Sequence, residues 1–160
     1  MDKEFITYGF IIEPEKFNEP KNGRNFMINK PDGGLWASPV DSKDSSKDWC
    51  LAKNFRNPRS FGTYTKFKLK ETSKIYTIDC REDFVRLLKL YGRKVPVLDE
   101  YFIDWEKVSR KYDGVYLTYD GNIECHHYGF GIDLNAWDVE SIVVLRLDCI
   151  EILEKKKDPE

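Results

Sequence analysis

Two tryptophans, a glycine pair and a late carboxylate are the residues of this chain whose types and spacing best suit chemistry. Gly33-Gly34-Leu35-Trp36-Ala37-Ser38-Pro39 reads as a glycine turn running into a short apolar strand. Ser45-Ser46-Lys47-Asp48-Trp49-Cys50 reads as a helix that opens on serines. With Trp36 on the strand and Trp49 on the helix, two large rings on adjacent elements can form a slot for a planar ring, closed on one side by small residues. Taken singly, each indole is a core residue packing strand to helix, and Ser46 is a cap. Glu140 stands in Trp137-Asp138-Val139-Glu140-Ser141, at the mouth of the most continuous apolar strand. Asp138, two residues earlier, projects on the same side of an extended chain. As isolated acids both would be ordinary solvated groups.

Tyr8-Gly9 is a second candidate. Gly9 interrupts the β-branched and aromatic run Phe5 to Ile12, which suggests either a bulge or a close backbone approach by another group. A phenol at Tyr8 can bond a hydroxyl but carries no positive charge at neutral pH. Arg24, Lys30 and Lys53 lie near the glycine turn and could meet phosphates, although such residues beside loops are usually only solvated. Cys125-His126-His127 invites a metal reading, but zinc needs three or four ligands in fixed geometry. The remaining cysteines lie in separate predicted elements, so no metal is assigned.

The glycine turn, the strand aromatic, and a helix serine three residues before a second aromatic resemble the ADP-ribosyltransferase superfamily, in particular its poly-ADP-ribose-polymerase-like members. Gly34, Trp36, Ser46 and Trp49 can be laid on that pattern, with a slightly longer loop here. The resemblance implies NAD as co-substrate, with its nicotinamide between Trp36 and Trp49 and its carboxamide on Gly9 and Ser46. It also implies Glu140 as the catalytic acid, because the family's glutamate sits just before a late central strand. There a fixed carboxylate stabilises the oxocarbenium-like charge that develops when the nicotinamide bond breaks. Tyr8 falls where the family places a ribose-holding residue, often His or Arg, with Thr7 as a register alternative. Asp138 falls where transferases that modify arginine or other side chains carry Glu or Gln, so the acceptor stays open.

These residues need elements to hold them. Beyond the strand at Phe5 to Ile12, residues 13 to 32 read as a loop with a short strand at Phe26 to Ile28. A helix runs from about Asp44 or Ser45 to Asn54. Tyr64 to Lys70 alternates as a half-exposed strand, and Ile75 to Ile78 is another. Asp79 with Glu82 forms a capping-box-like start for a helix bearing Phe84, Leu87, Leu88 and Tyr91, which Gly92 stops. Asp104 caps a helix bearing Trp105, Val108 and Tyr112. Val115 to Thr118 is a strand, Asp120-Gly121 a tight hairpin turn, and Ser141 to Leu147 a central strand. Cys149 to Leu153 closes the fold.

Strands outnumber helices, and the helices cluster mid-chain, so the class is α+β. The resemblance sharpens this to a small, mostly antiparallel two-sheet fold with inserted helices, in one domain over 1–153 followed by a charged tail over 154–160. The 160 residues suffice for one domain with a core, and the net charge of −2 excludes global steering toward nucleic acid. Four scattered cysteines without C-x-x-C spacing suggest reduced thiols in a cytoplasmic protein. A charged N-terminus with no long apolar run suggests neither a signal peptide nor a membrane span.

The expected function is therefore an NAD-dependent mono-ADP-ribosyltransferase acting on an unknown protein or nucleic-acid acceptor, or an NAD glycohydrolase if water attacks instead. The alternatives are a catalytically inactive module of the same fold that binds NAD, ADP-ribose or a protein, and an interaction protein of unrelated α+β fold.

Overall fold

A computed structural model describes residues 2–9, 11–23, 29–43, 62–96, 99–126, 134 and 136–159. In chain order the strands and helices are β1 (Glu4–Tyr8), β2 (Lys21–Asn22), β3 (Pro31–Asp32), β4 (Leu35–Pro39), β5 (Tyr64–Leu69), β6 (Ile75–Ile78), α1 (Arg81–Tyr91), β7 (Gly92–Val95), β8 (Glu100–Ile103), α2 (Trp105–Lys111), β9 (Gly114–Leu117), α3 (Tyr119–Glu124), β10 (Ser141–Val144) and β11 (Ile150–Lys156). Short 3-10 turns cover Pro14–Lys16 and Leu147–Cys149. The class is α+β with mostly antiparallel strands. None of the described helices is long and apolar enough to cross a membrane.

Among the described residues a seven-stranded sheet runs β11-β5-β1-β4-β10-β9-β6, with the hairpins β2-β3 and β7-β8 beside it. Every neighbouring pair is antiparallel except β6 and β9, which are parallel. In place of the expected two-sheet arrangement, the described strands outside the hairpins form this one sheet, and it is weakly joined along β4. That strand pairs with β1 only through Ser38 and Pro39, and with β10 only through Leu35, Trp36 and Ala37. Toward Gly34 the two strand groups therefore part.

The two faces follow from register, since residues opposite each other share a face. Phe5, Leu35, Ala37, Phe67, Tyr116, Ile142 and Val144 form one core layer. Val115, Leu117 and Val143 face the other way, onto Phe84 and Leu87 of α1 and Trp105 and Val108 of α2. The apolar helix faces expected from periodicity thus lie in the core.

Local signals hold in part. Asp104 caps α2 by accepting from the Lys107 amide at 3.2 Å, and Asn22 adds a second cap by accepting from the Trp105 amide at 2.7 Å. The start of α1 is secured by Asp83 rather than Glu82. Its Oδ2 accepts from the Asp79 amide at 3.0 Å. Gly92 ends α1 in extended conformation, where a Cβ would stand 2.3 Å from the Leu88 carbonyl oxygen. Close approach, not a left-handed turn, is what requires glycine there.

Three expectations change. Asp120-Gly121 lies inside α3, whose cap Thr118 accepts from the Gly121 amide at 3.0 Å, so no tight hairpin forms. Between Val95 and Phe102, where Pro96 suggests only a connection, the described residues contribute to the β7-β8 hairpin. The charged tail begins late, because Glu154 to Lys156 still pair with Lys66 to Tyr64 of β5. The expected strand at 26–28 and helix at 44–54 lie outside the described residues.

Candidate functional site

The parting of β1 from β4 opens a cleft of about 1000 Å³. On the β1 side stand Tyr8 and Gly9, and on the β4 side Gly34, Leu35 and Trp36. The segment after β1 closes the floor with Ile11, Ile12 and Phe17; Lys30 and Lys157 bring positive charge to the wall, whereas Lys16 is paired with Glu13 of the same lining at 2.6 Å. The volume is at the upper end of small-molecule sites, and an apolar lining with a few polar groups is their usual character.

Glycines shape this cleft. Gly9 (φ 92°), Gly33 (φ 85°) and Gly34 (φ 76°) adopt the left-handed conformation that other residues avoid. At Gly33 a Cβ would stand 2.5 Å from the Glu19 carbonyl oxygen, and at Gly34 it would stand 2.8 Å from Val143 Cγ2. The Gly34 amide donates to the Asn18 carbonyl at 2.8 Å, tying the turn to the loop before β2. The Gly9 amide donates to the Thr63 carbonyl at 2.8 Å. The Gly9 backbone N–H is therefore engaged within the fold.

Trp36 is half-buried. Its ring meets Trp137 edge-to-face at 4.7 Å between centroids, and the Lys30 ammonium lies 4.6 Å from its centroid. Trp137 is buried, stacks on Trp105 at 6.1 Å, and donates its indole N–H to the Asn29 carbonyl at 2.8 Å. The described ring partners of Trp36 are thus Trp137 and the Ile6/Tyr8 pair on β1, against which it also packs. Trp49 and Ser46, the other half of the expected slot, lie outside the described residues, as do Arg24, Lys53 and His127. Tyr8 is buried at 8 % exposure, with its ring edge-on to Tyr64 at 6.1 Å.

Glu140 is not brought to this cleft. Two residues on, Ile142 lies opposite both Ala37 and Tyr116, whereas Trp36 lies opposite Val143. The Glu140 carboxylate follows the Ile142 alternation and reaches Tyr116, whose phenol donates to its Oε2. Ser42 Oγ donates to Oε1 at 2.7 Å, and Ser38 Oγ donates to the Glu140 carbonyl at 3.0 Å. Glu140 is only 6 % exposed. The expected pairing of this acid with the Trp36 ring is therefore corrected by strand alternation, which puts the two side chains on opposite faces. Asp138 is exposed, so the two acids do not share one environment either.

The Cys125-His126 segment is structural. His126 Nε2 lies 3.0 Å from the Leu134 carbonyl and 3.1 Å from that of Trp137, pinning the approach to β10. Burial pushes the Cys125 and Cys149 thiols up to about 12, so neither is a ready nucleophile. No group of three His, Cys, Asp or Glu among the described residues could hold a metal ion.

Tyr116, Ser42 and Trp137 were the residues sequence reasoning passed over. The available signal was a phenol inside the wholly apolar run Val115 to Leu117, since a buried hydroxyl needs an acceptor. No family model matches this chain, and no curated protein or solved structure is found similar to it.

Proposed function

We propose that this chain is a binding module for NAD or ADP-ribose, built on an ADP-ribosyltransferase-like fold and not turning its ligand over. The observation that carries this reading is Trp36 with Lys30 over its ring, in a cleft that Tyr8 and Gly9 also line. Aromatic faces take a base or a pyridine ring, and Lys30 and Lys157 suit the pyrophosphate that joins the two halves of such a ligand. The parting of the sheet along β4 supports the fold assignment, because it divides the strands into two groups at the place where the ligand would lie.

Absence of turnover rests on Glu140. An acid that stabilises positive charge on a ribose must face that ribose. This one is buried, held by two hydroxyls and directed to the other face of the sheet. The transferase reading is kept as the second one, favoured by Tyr8-Gly9 and Trp36 meeting in one cleft as the family pattern implies.

Calorimetry with NAD and with ADP-ribose, followed by a long incubation assayed for free nicotinamide, separates the readings. The expected result is saturable binding without nicotinamide release, weakened about tenfold or more by Trp36→Ala. Release that disappears in Glu140→Gln would restore the transferase. Failure of both ligands to bind would remove the present proposal.

A further inference from the structure

We propose that Glu140 is a positioning residue: its bonds to Ser38, Ser42 and Tyr116 form a latch that sets how far the sheet parts at the cleft. The ligand arm of this inference rests on the reading of the cleft as a binding site, whereas its geometric arm does not.

The two ends of β4 are treated differently. At the Pro39 end, β4 is paired with β1, and the Val40 amide continues the contact by donating to the Glu4 carbonyl at 2.9 Å. Glu140 stands beside that end and gathers three donors, two from the joint strand and its turn and one from the β9/β10 group. Ser38 and Ser42 belong to β4 and the turn after it, and Tyr116 belongs to β9. The Tyr116 ring itself packs edge-on to Phe5 of β1 at 5.7 Å, so the latch closes over an apolar contact between β9 and β1. At the Gly34 end no comparable bond is needed, since Thr7 and Tyr8 pair with β5 and Leu35 to Ala37 pair with β10. The native twist of paired strands drives the groups further apart with distance from the joint.

Leverage makes the latch matter. Trp36 lies three residues from Pro39, about 10 Å along an extended strand, so a rotation of about 10° at the latch moves the cleft wall by roughly 2 Å. The latch also fixes the residue before it. Val139 packs against the Ile6/Tyr8 pair, as Trp36 does. A residue that touches no ligand thereby sets the separation of the rings that would.

The test uses the whole chain. Residual dipolar couplings of backbone amides in β1 and β5 against β9 and β10 give the angle between the strand groups without any ligand. The double variant Ser42→Ala/Tyr116→Phe removes the two hydroxyls that the described residues donate to the carboxylate, and Ser42→Ala alone serves if the double variant does not fold. The expected result is a changed angle between the groups and ADP-ribose binding weakened about tenfold. Glu140→Gln, whose amide can accept from Tyr116 while donating to Ser42, should restore the wild-type angle, and affinity to within about twofold. An angle unchanged in the double variant overturns the latch, whatever the ligand does. A changed angle in a protein that never binds ADP-ribose upholds the latch and removes the binding reading instead.

Discussion

Tyr116 and Glu140 are 1 % and 6 % exposed, and the phenol of one donates to the carboxylate of the other at the edge of the core layer that holds Phe5 and Ile142. A buried carboxylate is tolerated only when its oxygens are satisfied, and here two hydroxyls satisfy both. Tyr116→Phe should therefore cost about 1.5–3 kcal/mol, the range for a hydrogen bond to a charged group. Ser42 is less buried, and Ser42→Ala should cost about 1 kcal/mol. Urea unfolding checks both, as a lower midpoint with an unchanged slope.

The same pair predicts a loss of stability in alkali. Burial first, then the bond to Glu140 and its charge, raise the Tyr116 phenol above its ordinary value of 10.0, with Asp41 and Asp79 adding to the effect. The folded chain therefore holds this proton at pH values where the unfolded chain has lost it. Below the ordinary value both states are protonated and the contribution is whole; as pH rises above it, stability falls. Unfolding midpoints measured at about pH 9 and about pH 11 should differ less in Tyr116→Phe than in wild type. Tyr76 and Tyr112, also raised chiefly by burial, leave a residual slope in the variant.

Gly33→Ala should cost about 2 kcal/mol or more, because a left-handed φ and a backbone clash act together. The obstructing atom at 2.5 Å is a carbonyl oxygen of Glu19, which has no rotamer to escape into. Denaturation should show the loss directly, and a variant as stable as wild type would rule out the left-handed turn and its clash at Gly33.

Asn29→Ala should cost about 1–3 kcal/mol. Its side-chain carbonyl accepts from the buried Ile103 amide at 2.9 Å, and the substitution strands that donor. Its own backbone carbonyl still receives the Trp137 indole, so near-ultraviolet circular dichroism from the stacked Trp105 and Trp137 should persist in the folded variant.

Much of the fold was legible in the residues. The alternation of Tyr64 to Lys70, the apolar stripes of α1 and α2 and the Asp104 cap are local patterns that local geometry obeyed, whereas the strand expected over Ser141 to Leu147 stops at Val144. Asp120-Gly121 misled because the hairpin signal is local while its outcome is not. A Cβ at Gly121 would stand 2.1 Å from the Ile78 carbonyl oxygen, so a neighbouring strand required that glycine.

The candidate site divided along the same line. Tyr8, Gly9 and Trp36 could be picked out by type and spacing, and they do line one cleft. Which face Glu140 takes could not, because a side chain in a strand is assigned to a face by its register with the neighbours, and a shift of one residue reverses it. Opposite Ala37 and Tyr116 stands Ile142, and that pairing turns the acid two residues earlier away from the tryptophan it was expected to serve. The sequence by itself determined which residues can bind a ring, donate a proton or end a helix. Only the tertiary structure decided which of them meet, because meeting is a property of strand register and twist rather than of any residue's chemistry.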